Sequence, residues 1–407
     1  MSKLDSISKD IDQLAPGSPP AGGSLADDAR DLVAFSVDLS SELSKDIAPE
    51  ISYLSSDEWN TFSEGFADIF HEQTAGYNDA RWGTERATYM KVSLDGVDIG
   101  GAAVTIIMAP FIKTGLAVLK WGPVWRKKGR DADPKHLSAI IQAIREEFAE
   151  KRGLYLTIMP RADADRPDAV VDCLVAQGFS KGDPLPAPAR YHVKVDKSAD
   201  ELRKSLAQKW RYNLKKAEKN DLEITFVGKD DGLAPFLDLY DQMLKRKGFT
   251  DRSAVHTLEE FIACAPEPFQ PAFVMARHEG DLCAAGVIDI SGECAIYLYG
   301  ATSDAALGLK AGYAMHWAVA ERLCADDDVK WYDLGGNDLD KGLHQFKTGF
   351  VGKTGAELNC PPSYHYAGSW LAALLGRSVF AAREMKRAFD RWRSALSDRI
   401  RALKVRK

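Results

Sequence analysis

The stretch WYDLGGNDLDKGLHQFKTGF, Trp331 to Phe350, decides how the rest of the chain is read. It begins as a buried strand, with Asp333 in phase with Val329 and Trp331, and breaks at Gly335-Gly336. A polar loop follows, then a helical turn in which Phe346 and Phe350 stand four apart as core anchors, with Lys347 between them. Strand ends and the loops after them are where α/β proteins place ligands. A glycine pair there lets a ligand approach the backbone. Lys347 is therefore the leading candidate for a catalytic cation, against the plainer reading of a surface lysine laid along apolar neighbours. A carboxylate on an apolar strand face needs a partner or a function, so Asp333 is either a cap for the glycine turn or a second catalytic group. Gly335, Gly336 and His344 complete this part of the candidate site.

Working outward, one order of elements occurs twice. In the first half TYMKVSLDGVDIGGAAVTIIM is a hairpin turning at Asp95-Gly96, LAVLKWGP a third strand and KHLSAIIQAIREEFAEKRG a helix. LYLTIMP is then a strand, PDAVVDCLVAQGF a helix ending in Gly-Phe, and RYHVKV a closing strand. In the second half PAFVMARHEGDLCAAGVIDIS is a hairpin turning at Glu279-Gly280-Asp281, CAIYLYG a strand and AGYAMHWAVAERLCADD a helix. KWYDLGG, GLHQFKTGF and a strand near Gly355–Leu358 complete the copy. Repetition of architecture predicts two similar α/β domains with a cleft where they meet.

At 407 residues the chain is too long for one ordinary core. The Ser-, Gly- and Pro-rich segment 1–48 is expected to be disordered apart from a short helix near Asp31–Leu43. Domains are expected over 49–192 and 193–360, with a basic amphipathic tail over 361–407. From Arg377 to Lys407 eleven Lys/Arg face three acids, a local charge of +8 on a body of −14. Such a tail suits an anionic partner, membrane surface or nucleic acid, against the plainer reading of a helix docked on the body. MSKLDSISKD lacks the apolar run of a signal peptide, and no apolar run approaches the ~20 residues of a membrane span. The expected location is cytoplasmic, with peripheral contact at the inner membrane face through 370–407 as the option the tail opens. Six scattered cysteines without a C-x-x-C pair, and histidines without ligand spacing, predict neither disulfides nor a metal site.

SADELRKSLAQKWRYNLKKAEK is the second informative segment. Ser198 and Glu201 form a capping box, and Leu202, Leu206, Trp210 and Leu214 a buried stripe of one helix. Lys204, Arg211 and Lys215 lie on another face. They are either a solvated surface or a phosphate-binding edge, for which the planar guanidinium of Arg211 is best suited. Tyr297 and Tyr299 are candidates to shape an acceptor channel. Neither a Gly-rich nucleotide fingerprint nor a nucleophile triad is present, which points to positioning and electrostatics as the chemistry.

KWRYNLKKAEKNDLEI, YDLGG with GLHQFKTGF, and KWGPVW resemble segments of the FemABX family, the peptidoglycan interpeptide-bridge aminoacyltransferases. The resemblance spans most of residues 50–360. It implies two tandem domains of the GNAT acyltransferase fold. It also implies transfer of an aminoacyl group from charged tRNA to an amine of a peptidoglycan precursor, with no cofactor. It places Lys347 in the acyl-transfer region and Arg211 with the precursor's phosphates. The chain departs from the family after Pro123, where Val124, Trp125 and Arg126 stand in place of an acidic residue considered as a base. LGLKAGYA, ahead of the helix at Gly312, does not fit the coenzyme A loop of ordinary GNAT enzymes. The alternatives are a GNAT-type enzyme that uses acyl-CoA or an acyl carrier on an amino sugar, polysaccharide or lipid intermediate, and a catalytically inactive binding protein that has kept the cleft.

Overall fold

The structure, a computed structural model, describes residues 48–182, 189–247, 253–336 and 340–381. The expected N-terminal disorder, the helix near Asp31–Leu43 and the tail beyond 381 lie outside them. In chain order the first half contains β1 (Glu50–Leu54), α1 (Ser56–Ser63), α2 (Ala75–Trp82), β2 (Ala87–Leu94), β3 (Val97–Met108) and β4 (Gly115–Lys120). It continues through α3 (Pro134–Ile144), β5 (Tyr155–Met159), α4 (Ala169–Ala176), β6 (Ser180–Lys181) and β7 (Ala189–Lys194). The second half contains α5 (Ala199–Ser205), α6 (Gln208–Ala217), β8 (Glu223–Val227), α7 (Lys229–Lys247), α8 (Leu258–Cys264), β9 (Ala272–His278) and β10 (Asp281–Asp289). After these come β11 (Cys294–Thr302), α9 (Ala305–Leu309), α10 (Ala311–Cys324), β12 (Trp331–Asp333), α11 (Lys341–Val351), β13 (Ala356–Asn359) and β14 (Tyr364–Ala367).

The expected repeat is present as two seven-stranded sheets, ordered β1-β2-β3-β4-β5-β14-β6 and β13-β7-β12-β11-β10-β9-β8. Each sheet is antiparallel at the hairpin side, and each has one parallel pair across a helix, β4 with β5 and β11 with β12. Both hairpins turn on two left-handed residues, Asp95 and Gly96 in the first and Glu279 and Gly280 in the second. That backbone twist matches the twist of the flanking strands.

The closing strands are exchanged relative to the expectation. β7, read from sequence as closing the first unit, lies in the second sheet between β13 and β12. β14 returns from the far end of the chain to pair with β5 in the first sheet. Alternation in RYHVKV fits either sheet. Long-range pairing makes the choice.

The basic segment after Ser198 is also two helices rather than one. Ser198 and Glu201 form the capping box. Leu206 and Ala207 are extended, and α11 docks into the break: the Ala207 amide donates to Gly349 O at 3.0 Å, and the Lys353 amide to Ser205 O at 3.0 Å. Trp210 lies flat on Phe350, with ring centroids 4.3 Å apart and 4° between planes. A Cβ on Gly349 would meet the Trp210 ring at 3.2 Å, so a residue without one lets the rings close.

Three main clusters form the core. One joins β7, β10–β12 and helices α5, α6, α10 and α11; another lies under the first sheet against α3. The third is shared by the halves, with Trp59, Phe66 and Tyr77 packed among Phe236, Tyr240, Phe261 and Phe273. Buried charge crosses the same boundary: Arg126 pairs with Glu293, and His71 Nδ1 lies 2.7 Å from Asp289.

Trp210→Ala should cost about 3–5 kcal/mol, the usual loss for a buried large aromatic. Urea denaturation followed by circular dichroism checks this; a midpoint equal to that of the unmutated protein would mean that α11 does not depend on the stack.

Candidate active site

β11 and β12 pair for only three residues, Cys294 with Trp331, Ala295 with Tyr332 and Ile296 with Asp333, although β11 runs on to Thr302. After Asp333 the chain swings toward β7, with the Leu334 amide donating to Tyr191 O at 2.9 Å. Gly335 then takes a left-handed turn at φ 76, which favours glycine. The strands part here and leave a gap beside Tyr297 O, which a Cβ on Gly335 would approach to 3.7 Å.

Lys347 fills one side of that gap. α11 starts at a side-chain cap, with Asp340 accepting from the amides of Gly342 and Leu343 at 2.7 and 2.9 Å, and carries Lys347 one and a half turns on. The side chain is 7% exposed, and Nζ donates to Leu334 O at 2.6 Å and Gly336 O at 2.5 Å. Tyr191 lies beneath the ammonium at 5.8 Å, and its hydroxyl bonds His344 Nδ1 at 2.7 Å. His316, on α10, shares a 2.9 Å hydrogen bond with the Tyr332 hydroxyl. Burial, with the Lys347 ammonium second, pushes its imidazole down to about 3, so it is neutral near pH 7.

Asp333 points to the opposite face of the sheet. It is 2% exposed, and its Oδ2 accepts from Arg190 Nε at 2.9 Å and from a second Arg190 nitrogen, with His192 Nε2 at 3.3 Å. Burial alone would raise this carboxyl. The Arg190 guanidinium, helped by His192, overturns that and holds it well below the usual carboxylate range. Oδ1 accepts from the Gly335 amide at 2.8 Å. Both oxygens are therefore engaged, and Asp333 sets the turn that supports Lys347's carbonyl partners.

Arg190 leads on to a group that the sequence reading did not single out. Its guanidinium lies 4.9 Å from the Trp121 ring, and Lys120 Nζ lies 4.8 Å from the same ring. Trp121 packs on Phe70 at 5.4 Å, and Arg161 covers Phe70 at 4.7 Å. Lys120 pairs with Glu72 at 3.2 Å. Three cations thus bracket two aromatic rings where the halves meet. The only sequence signal was KWGPVW itself, in which Lys120 and Trp121 sit. The left-handed φ of 57 at Trp121 could not be read there.

The structure brings Lys347, Gly335, Gly336 and His344 together, with Tyr297 across the gap and Asp333 supporting the turn. It separates Tyr299: an extra residue in β11 between Tyr297 and Tyr299 shifts the register against β10. Tyr297 therefore packs beside His316, while Tyr299 faces the cluster between the halves. Arg211 donates to Lys204 O at 3.0 Å and Leu206 O at 2.5 Å, satisfying carbonyls freed by the helix break. Lys204 and Lys215 are solvent-exposed. Among the described residues no group of three His, Cys, Asp or Glu side chains could hold a metal ion.

Residues 202–348 match the family described as "Acetyltransferase (GNAT) domain", so the second half carries a GNAT acyltransferase domain. Among solved structures, FemX is 16% identical over 80% of this chain and 99% of its own, at a TM-score of 0.65. A conserved protein of unknown function from Bacteroides thetaiotaomicron VPI-5482 is 13% identical over 78% and 99%, at 0.48. A tandem GNAT protein from the clavulanic acid biosynthesis pathway is 13% identical over 79% and 99%, at 0.40. No curated protein matches the sequence. With the two sheets described above, the domain match and the FemX-like fold make this a tandem pair of GNAT-like α/β units.

Asp333→Asn leaves Arg190 buried without its carboxylate and should cost about 3–5 kcal/mol. The native carboxyl binds its proton less tightly than the unfolded one. Its stabilisation is therefore complete above the unfolded aspartate pKa of ~3.9 and drains away as pH falls below it. Urea midpoints of the native protein and the variant should converge on acidification from neutral pH; curves that stay parallel would contradict the assignment.

Proposed function

We propose that this tandem GNAT-fold chain is an N-acyltransferase that moves an aminoacyl group from charged tRNA to an amine of a peptidoglycan precursor. The observation that carries the reading is the Lys347 ammonium, fixed by two carbonyls where β11 and β12 part, inside the segment that matches the acyltransferase domain. Aminolysis of an ester needs a free amine, stabilisation of the tetrahedral oxyanion and a proton for the leaving hydroxyl. An alkyl ammonium has a reference pKa of ~10.4, so the acceptor must lose a proton on binding or during attack. Lys347 supplies positive charge toward the oxyanion, in a place where water is largely excluded and the charge is pre-positioned.

Direct transfer fits the thiols nearby. Burial pushes Cys294 up to about 12 and raises Cys360 as well, so neither is poised as a thiolate nucleophile. Arg211 with Lys204 and Lys215 would meet the precursor's phosphates at the outer face of α5 and α6. The tRNA and peptidoglycan parts of the reading rest on the sequence resemblance, and the FemX-like fold supports them only as a scaffold. The match to an acetyltransferase domain favours a second reading, acyl-CoA or an acyl carrier as donor to an amino sugar, polysaccharide or lipid intermediate. Among the described residues no helix is long and apolar enough to cross a membrane. The basic segment 370–407 would be the part to meet a membrane surface.

Donor dependence separates these readings. The purified protein is incubated with a peptidoglycan precursor and either a pool of charged tRNAs or a set of acyl-CoAs, and the acceptor mass is followed. A tRNA-dependent gain of one amino-acid residue is expected. A gain with acyl-CoA alone would move the protein to the second reading, and acceptor binding without turnover under any donor would make it a binding protein. Lys347→Met should lower kcat by ~10²–10³ with an unchanged circular dichroism spectrum. Native rates in that variant would remove Lys347 from the chemistry.

A further inference from the structure

We infer that Glu72, in the first half of the chain, is the base that takes the proton from the acceptor's ammonium; this rests on the acyl-transfer reading above. Glu72 lies in the single 3-10 turn His71–Gln73, a segment fixed on every side. His71 is held by Asp289 at 2.7 Å. The Gln73 side chain bonds the Ala103 amide at 2.9 Å and Lys120 O at 2.8 Å, and Gln73 O accepts from Trp59 Nε1 at 2.8 Å. The Glu72 carbonyl accepts from Asn78 Nδ2 at 3.0 Å. These contacts fix the backbone that carries the carboxylate.

Its two oxygens differ. Oε1 pairs with Lys120 Nζ at 3.2 Å. Oε2 is buried and has no hydrogen-bond partner among the described residues, on a side chain that is only 7% exposed. A buried acceptor without a donor typically costs ~1–3 kcal/mol, more when charged. Folding the chain around such an oxygen makes sense if a ligand supplies the donor, and a carboxylate accepts best from an ammonium.

The surroundings fit that use. Lys120 from β4 is paired with Glu72, Tyr77 and Arg81 from α2 act on that same lysine, and Tyr299 from β11, Arg190 from β7 and Cys360 after β13 lie within electrostatic reach of the carboxylate. Arg190 is committed to Asp333, and through it to the Gly335 turn that supports Lys347. Val124, Trp125 and Arg126 directly follow Pro123, and Glu72 supplies a first-half carboxylate from a different element.

The step balances as follows. The acceptor R–NH3+ gives one proton to Glu72 Oε2. The free amine attacks the acyl carbonyl carbon and a C–N bond forms, placing the oxyanion toward Lys347. The bond from carbon to the ester oxygen breaks, and the second nitrogen proton ends on the leaving hydroxyl. Glu72 then releases its proton to solvent. A primary ammonium is thus the acceptor class.

The test uses the full chain, a lysine-containing peptidoglycan precursor as acceptor and the charged-tRNA pool as donor, with acyl-CoA in a parallel arm. For Glu72→Gln, kcat should fall ~10²–10⁴ near neutral pH. The rate should then climb as free amine accumulates toward pH ~10, without the plateau of the native profile. A structural role would lower the rate equally at all pH values. Glu72→Asp, which keeps the charge but retracts it, should retain the native profile shape at reduced kcat, and serves if the glutamine variant does not fold. A Glu72→Gln profile superimposable on the native one overturns this inference alone. Absence of transfer by the unmutated protein in both arms overturns the acyl-transfer reading and this inference with it.

Discussion

The buried pair between Arg190 and Asp333 is the interaction on which the site depends. It joins β7 to β12, strands that come from opposite ends of the second unit's sequence, and it sits where β12 stops pairing with β11. Asp333 uses its other oxygen to turn the chain at Gly335. The turn presents the carbonyls of Leu334 and Gly336, and these fix the Lys347 ammonium. Each link is short and directional, so the cation is positioned by a chain of polar contacts rather than by packing alone. Desolvating two charges costs several kcal/mol per ion, which only close geometry and further hydrogen bonds offset. Arg190 meets that condition with paired nitrogens on one oxygen and the Trp121 ring under its face.

The exchange of β7 and β14 gives the same pair a second consequence. The second sheet is built from one continuous stretch, β7 to β13, and the first is completed by β14 from beyond it, so the first unit does not close without the chain that follows the second. The apolar cluster shared by the halves supplies non-directional attraction. Arg126 with Glu293 and His71 with Asp289 supply direction, because a slide between the halves would strand buried charges. Glu72 lies in the turn that His71 anchors, so the same contact that aligns the halves also aims its carboxylate.

A division of labour follows. The second half contributes the parted strands, the glycine turn and the lysine. The first half contributes the aromatic pair Phe70 and Trp121, the cations Lys120 and Arg161, and Glu72. The break between α5 and α6 belongs to this arrangement as well: it admits the end of α11, whose Phe350 stacks on Trp210 and thereby sets the axis on which Lys347 rides.

The sequence by itself determined the repeated order of elements, both hairpin turns, the capping box at Ser198 and the glycine break before Lys347. These depend on local signals: period-two and period-3.6 alternation, turn residues, and caps within four residues. Tertiary structure alone decided which sheet β7 and β14 join, since alternation in RYHVKV satisfies either one. It alone broke the basic helix at Leu206, where Gly349 O and the Lys353 amide compete for the helix's own hydrogen-bonding groups. It also turned Tyr299 away from Tyr297, through one extra residue whose only trace is a shift of pairing. Arg190, Trp121 and Glu72 lie far apart in the chain and are unremarked singly. Their chemistry exists only because two sheets meet, and a sum of local preferences does not contain that contact.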